Sequence, residues 1–183
     1  MIVKPTAERL AEGAAAASDG GLPPVHAWDP PYHGKVDIRI ARDGTWFHEG
    51  TPIRRRELVR LFSTILRKDG DDYVLVTPVE KVGITVDDAP FDAVDFDVAG
   101  TGRDQTLTCV TNGGDRTTAG PDAPIRVVHD PASGEPAPYV TVRANLEALI
   151  DRKSFYRLAD LACDNDGRFG LWSSGVFFPI DQT

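Results

Sequence analysis

At 183 residues the chain has room for one domain of ordinary size, or for two small ones sharing a core. Apolar residues make up 41% of it and supply that core, while no run approaches the roughly 20 apolar residues of a membrane span. A net charge of -8 works against nucleic-acid polymers and anionic membranes, and the charged opening MIVKPTAERL lacks the apolar stretch of an export signal, so a cytoplasmic protein is expected.

Residues 1–20 are Ala-rich, end in Asp-Gly-Gly and read as a flexible N-terminal segment or a frayed helix. Leu22 to Gly34 holds four prolines, Trp28, Tyr32 and two histidines, which excludes regular helix. Trp28 and Tyr32 predict that this stretch packs across the body. Val36, Ile38 and Ile40 alternate with Asp37, Arg39 and Ala41 as in a half-buried strand. Asp43-Gly44 is a hairpin turn signal, and Thr45 to His48 is the returning strand.

Thr51-Pro52 reads as an N-cap followed by proline at the first helical position. Leu58, Leu61, Phe62, Ile65 and Leu66 then recur at helical spacing, predicting a helix from Pro52 to about Lys68 that Asp69-Gly70 ends. Tyr73–Thr77 and Lys81–Val86 are strands, and Pro78 marks a strand end or an edge. Strands dominate beyond Asp87, at Phe91–Val98, Gln105–Thr111, Ile125–His129 and Tyr139–Val142. The stretch from Asn145 to about Cys163 reads as helical, in one or two pieces, and Phe169 to Pro179 closes with strands. Leu58, Leu61, Phe62, Ile65, Leu75, Leu158 and Leu161 are the expected core.

Sliding the chain against itself by 97 residues sets Arg55 on Arg152, Arg60 on Arg157, Leu61 on Leu158 and Asp69-Gly70 on Asp166-Gly167. This predicts a duplicated helix-plus-β-hairpin unit in an α+β protein with mainly antiparallel sheets. The expected divisions are a flexible segment over 1–20, an N-terminal α+β subdomain over 21–86 and a β-rich C-terminal subdomain over 87–183. An interface between two related halves is a favoured place for a ligand.

The common catalytic signatures are missing: there is no G-x-x-x-x-G-K-[ST], H-E-x-x-H or G-x-S-x-G. His26, His33, His48 and His129 lack metal spacing. Asp164-Asn-Asp166-Gly167 resembles a calcium loop, but the closing glutamate position is Ser173. Cys109 and Cys163 are two lone thiols, expected reduced. No metal or cofactor is expected. Arg54, Arg55, Arg56, Arg60, Arg67 and Lys68 form a basic cluster in an acidic chain. They read either as a solvated helix face or, since three of them stand at a helix start where the macrodipole disfavours cations, as the partners of an anionic neighbour or a phosphate-bearing ligand.

Asp43-Gly-Thr-Trp46, Leu58-Val-Arg-Leu-Phe-Ser63, Thr77-Pro-Val-Glu-Lys81 and Asp87-Asp-Ala-Pro-Phe91, with Trp28 and Pro30-Pro31, resemble the bacterial domain of unknown function 1285 family. The resemblance covers nearly all the chain after residue 20 and is weaker between Gly100 and Pro138. It implies a duplicated α+β core, a C-terminal half like a pleckstrin-homology fold, and a nucleotide-like ligand bound between the halves in a signalling role. No reaction is implied. The motif positions fall on Arg39, Trp46, Arg55, Thr77, Glu80 and Lys81, which become the candidate ligand-binding residues.

Three functions follow as expectations. The first is a small-ligand-binding regulatory module whose ligand is a nucleotide-like or phosphorylated small molecule. The second is an enzyme acting on a phosphorylated small molecule with Glu80 or an aspartate as base. The third is a protein-interaction adaptor with a protein partner and no small ligand. The lack of a nucleophile–base pair favours the first and third.

Overall fold

The computed structural model describes residues 5–182, and residues 1–4 of the expected flexible segment lie outside these. The chain divides into two compact units, the first ending at Asp88 and the second beginning at Ala89. Each is described by itself.

In the first unit, helix α1 (Ala7–Ala17) opens on Thr6, whose hydroxyl accepts the Arg9 N–H at 3.3 Å. Leu10 and Ala14 are buried, one turn apart on one face, so residues 7–17 are a packed helix and not a flexible tail. A short 3-10 turn at Val25–Ala27 leads into β1 (Tyr32–Ile40), β2 (Trp46–His48) and β3 (Thr51–Pro52). Helix α2 (Arg56–Thr64) follows, then β4 (Leu66–Asp69), β5 (Asp72–Val76) and β6 (Lys81–Val86). These strands form one six-stranded sheet in the order β3-β2-β1-β6-β5-β4. All pairings are antiparallel except β1 with β6, which is parallel. The hairpin β4–β5 turns at Gly70, where φ is 62° and glycine is favoured.

The expected helix over 52–68 is therefore half helix and half strand. Pro52 belongs to β3, and Ile65 and Leu66 are buried at the entry to β4, so they mimic the helical stripe while serving a hairpin.

In the second unit, β7 (Phe91–Ala99), β8 (Thr106–Thr111), β9 (Arg116–Thr118), β10 (Ile125–His129), β11 (Pro136–Arg143) and β12 (Leu146–Ile150) form a second six-stranded sheet. Its order is β10-β11-β12-β7-β8-β9, again with one parallel pair, β12 with β7. Helix α3 (Arg152–Ala159) is capped by Asp151, whose Oδ1 accepts the Ser154 N–H at 2.7 Å. It leads into β13 (Cys163–Asn165), β14 (Arg168–Ser173) and β15 (Val176–Pro179), a three-stranded antiparallel sheet. Residues 146–150, expected to be helical, are a strand whose burial alternates with period two.

The repeat is visible in connectivity. Each unit runs from a helix into a three-stranded antiparallel meander, α2-β4-β5-β6 and α3-β13-β14-β15. The 97-residue offset slips by one residue at the turns. Asp69 is the last residue of β4, whereas Asp166 and Gly167 are both turn residues with φ of 54° and 81°. This left-handed pair occupies the loop that resembles a calcium site, and it is a hairpin turn. Phe62, Ile65, Leu75 and Leu158 are core, Leu58 and Leu61 are half-buried, and Leu161, just past the end of α3, is exposed.

Candidate functional site

The turn between β5 and β6 is locked by its own residues. The Thr77 N–H donates to the Glu80 carbonyl at 2.9 Å, and Thr77 Oγ1 accepts the Glu80 N–H at 3.2 Å. Thr77 is fully buried, and a Cβ on Gly13 of α1 would stand 2.9 Å from its methyl group, so α1 lies directly on this turn. Glu80 points to the same side. Its side chain is 1% exposed, with Arg9 Nε of α1 at 3.6 Å from Oε1 and His33 Nδ1 of β1 at 3.5 Å from Oε2. Oε2 accepts no hydrogen bond.

Successive strand residues face opposite sides, so Lys81 emerges on the other face of the sheet. There a groove of about 280 Å³ is lined by Tyr32, Lys35, Asp69, Asp72, Tyr73 and Lys81 around a floor of Gly83 and Val74. The register explains this assembly: Lys35 of β1 pairs with Gly83 of β6, and Gly83 pairs with Val74 of β5. Gly83 leaves room for Tyr32, which lies over it; a Cβ there would come within 2.7 Å of the tyrosine hydroxyl and displace the ring.

One wall is held by Arg67, which is buried. Its guanidinium donates to both carboxylate oxygens of Asp69, at 2.6 and 2.8 Å, and to the carbonyls of Val25 and Trp28 at 2.7 and 2.8 Å. Trp28's segment therefore packs across the body through its backbone. Lys81 Nζ reaches Asp69 at 3.3 Å. The Arg67 hydrogen bonds, with the Lys81 ammonium adding to them, hold the Asp69 carboxyl below the usual carboxylate range, and the same hydrogen bonds raise Arg67 above its ordinary value.

Of the six candidate residues, the groove takes only Lys81. Arg39 pairs with Asp87 and lies 4.6 Å from the centre of the Phe47 ring. Trp46 is core, stacked on Phe62 with ring centroids 6.1 Å apart, and is not a stacking platform for a ligand. Arg55 is the exposed N-cap of α2 and lies outside the groove lining. Thr77 and Glu80 face α1. The basic cluster is split: Arg67 turns inward, while Arg54, Arg55 and Arg56 are exposed and form no ion pair among the described residues. The ligand was expected between the two halves, but every residue lining this groove belongs to the first unit. Tyr32, Lys35, Asp69, Tyr73 and Gly83 were missed. The signal for them was period-two alternation, since Lys81 and Gly83 share a face, but nothing in the sequence shows that β1 lies beside β6.

Among the described residues, no His, Cys, Asp and Glu cluster has the geometry to hold a metal ion, and no helix is long and apolar enough to cross a membrane. Residues 23–89 match the family model for the domain of unknown function DUF1285, N-terminal domain, and residues 90–180 match that for the DUF1285 C-terminal domain. The crystal structure of a DUF1285 family protein from Silicibacter pomeroyi DSS-3 is 63% identical in sequence, with a TM-score of 0.88 over 94% of each chain. A second, from Shewanella baltica OS155, is 27% identical with a TM-score of 0.52, covering 67% of this chain and 90% of that one. A comparison with curated proteins returns no match.

Proposed function

Since this chain belongs to the DUF1285 family, a description that leaves activity open, we propose a function from the geometry: a small-ligand-binding regulatory module that holds its ligand in the groove of the N-terminal unit. The observation that carries this reading is the groove itself. It combines a concave floor of Gly83 and Val74, one aromatic wall, Tyr32, and two lysine ammoniums, Lys35 and Lys81. An anionic group on the lysines and a planar group against a tyrosine is what such a lining accepts, and a nucleoside monophosphate meets that description. The test is thermal stability against a panel of small anions and mononucleotides. A ligand at 100 times its dissociation constant adds about 2.7 kcal/mol. Binding is expected to weaken at least tenfold in Lys35→Ala and to be unchanged in Arg55→Ala; the reverse pattern would move the site to the α2 N-terminus.

The enzyme reading loses Glu80 as its base, because Glu80 is buried on the face away from the groove, and would have to use an aspartate of the lining, Asp72. The adaptor reading draws support from Tyr156 and Phe169, large exposed side chains of the second unit. The pleckstrin-homology likeness of that unit belongs to the same proposal, supported by its run of six strands ahead of a helix. It is abandoned if superposition on pleckstrin-homology domains fails to align β7–β12 and α3 in order.

A further inference from the structure

The charges of the groove narrow its ligand, on the reading that the groove is a ligand site. Asp69 and Lys81 are engaged with each other, and Asp69 is held at both oxygens by Arg67. That leaves two charges of opposite sign, Lys35 and Asp72, both lining the groove and both exposed, and neither forms an ion pair among the described residues. A polyphosphate on Lys35 would bring several negative charges beside Asp72 and Asp69, which like-charge repulsion opposes. A molecule carrying one charge of each sign meets both residues without that conflict.

The backbone places them suitably. Lys35 is in register with Gly83, Gly83 with Val74, and Asp72 lies two residues along β5 from Val74 on the same face. The two charges therefore flank β6 from opposite sides. With neighbouring strands about 4.8 Å apart, β1 and β5 stand roughly 10 Å from each other across the Gly83 floor. Tyr32 covers the same floor, its hydroxyl 2.7 Å from where a Cβ on Gly83 would stand. We propose that the groove binds a small zwitterion, an amino acid or dipeptide lying across β6, with its carboxylate on Lys35, its ammonium on Asp72 and an apolar or aromatic side chain against Tyr32. The volume of about 280 Å³ fits a molecule of that size.

The experiment is titration of the isotope-labelled full chain, followed by amide shifts, with five probes: phenylalanine, glycyl-phenylalanine, N-acetyl-phenylalanine, phenylalanine amide and adenosine monophosphate. The expected result is that a zwitterion moves the amides of Tyr32, Tyr73 and Gly83, and that N-acetyl-phenylalanine and phenylalanine amide bind at least tenfold more weakly. Asp72→Asn abolishes the preference for a free ammonium, and Lys35→Gln that for a free carboxylate. Both positions are exposed, and an unchanged spectrum outside the groove confirms that each variant folds. If the nucleotide or the N-acetyl compound moves the same amides as strongly as the zwitterions, the groove stands as an anion site and the zwitterion proposal is overturned. If no probe moves them, both the proposal and the reading beneath it fall.

Discussion

Asp69 gathers Arg67 and Lys81 at one corner of the first unit, and its carboxyl sits below the ordinary value because both cations favour the charged form. A lowered carboxyl adds stability that is present above the unfolded value of about 3.9 and lost as the pH falls through the folded one. The gap in urea stability between wild type and Asp69→Asn should therefore narrow as the pH drops from about 4. A gap that widens would mean that the Arg67 pairing does not persist in solution. Arg67→Met also strands the Val25 and Trp28 carbonyls and is expected to cost about 3 kcal/mol. Burial pushes the Cys109 thiol up to about 11, whereas Cys163 is exposed. Iodoacetamide at pH 8 should label Cys163 in the native protein and Cys109 only after denaturation; mass spectrometry of the tryptic peptides decides this.

At the scale of elements, α1 packs against α2 and is docked by Leu10, Ala14, the close approach of Gly13 to Thr77 and the Arg9–Glu80 pair. Arg9→Ala should raise amide exchange across Ala7–Ala17 several-fold while leaving β5 and β6 protected; unchanged exchange would show that Leu10 and Ala14 alone dock the helix. Two glycines make a paired test. A Cβ at Gly170 of β14 would overlap the Phe178 carbonyl oxygen, part of a neighbouring strand that cannot give way, so Gly170→Ala is expected to cost more than about 2 kcal/mol. A Cβ at Gly83 meets only the mobile end of Tyr32, so Gly83→Ala should change stability by less than about 1 kcal/mol and instead displace the ring. The strands were legible where apolar and polar residues alternate, as at Ile38 and Ile40 or over Lys81–Val86. Ile65-Leu66 and Leu146–Ile150 were not, because a short apolar run has no period of its own and its partner strands decide it. Lys81 was the one groove residue within reach of the sequence, since the parallel pairing that sets Tyr32 and Lys35 beside it is a tertiary event.

The whole molecule repeats a plan. Each unit sends a helix into a three-stranded meander, yet the repeat is unequal where it meets the core: Leu158 is fully buried and its counterpart Leu61 only half so. Leu158→Ala should accordingly cost about 2–5 kcal/mol and Leu61→Ala clearly less, measured by urea unfolding; equal losses would place the two side chains in the same environment after all. The two parallel pairings have a consequence for how the chain comes to be folded. In the first unit Ile40 finds Val86, and in the second Ala93 finds Ile150, so each six-stranded sheet waits for a strand made long after its first. Joining such distant segments is slow, because the intervening loop must be closed before any contact rewards it. The last strand of the first sheet ends at Val86, two residues short of the boundary at Asp88. A ribosome therefore releases every strand of that sheet before the first strand of the next, and nascent chains stalled once Val86 has cleared the exit tunnel should already resist protease, with their partners for β1 in place.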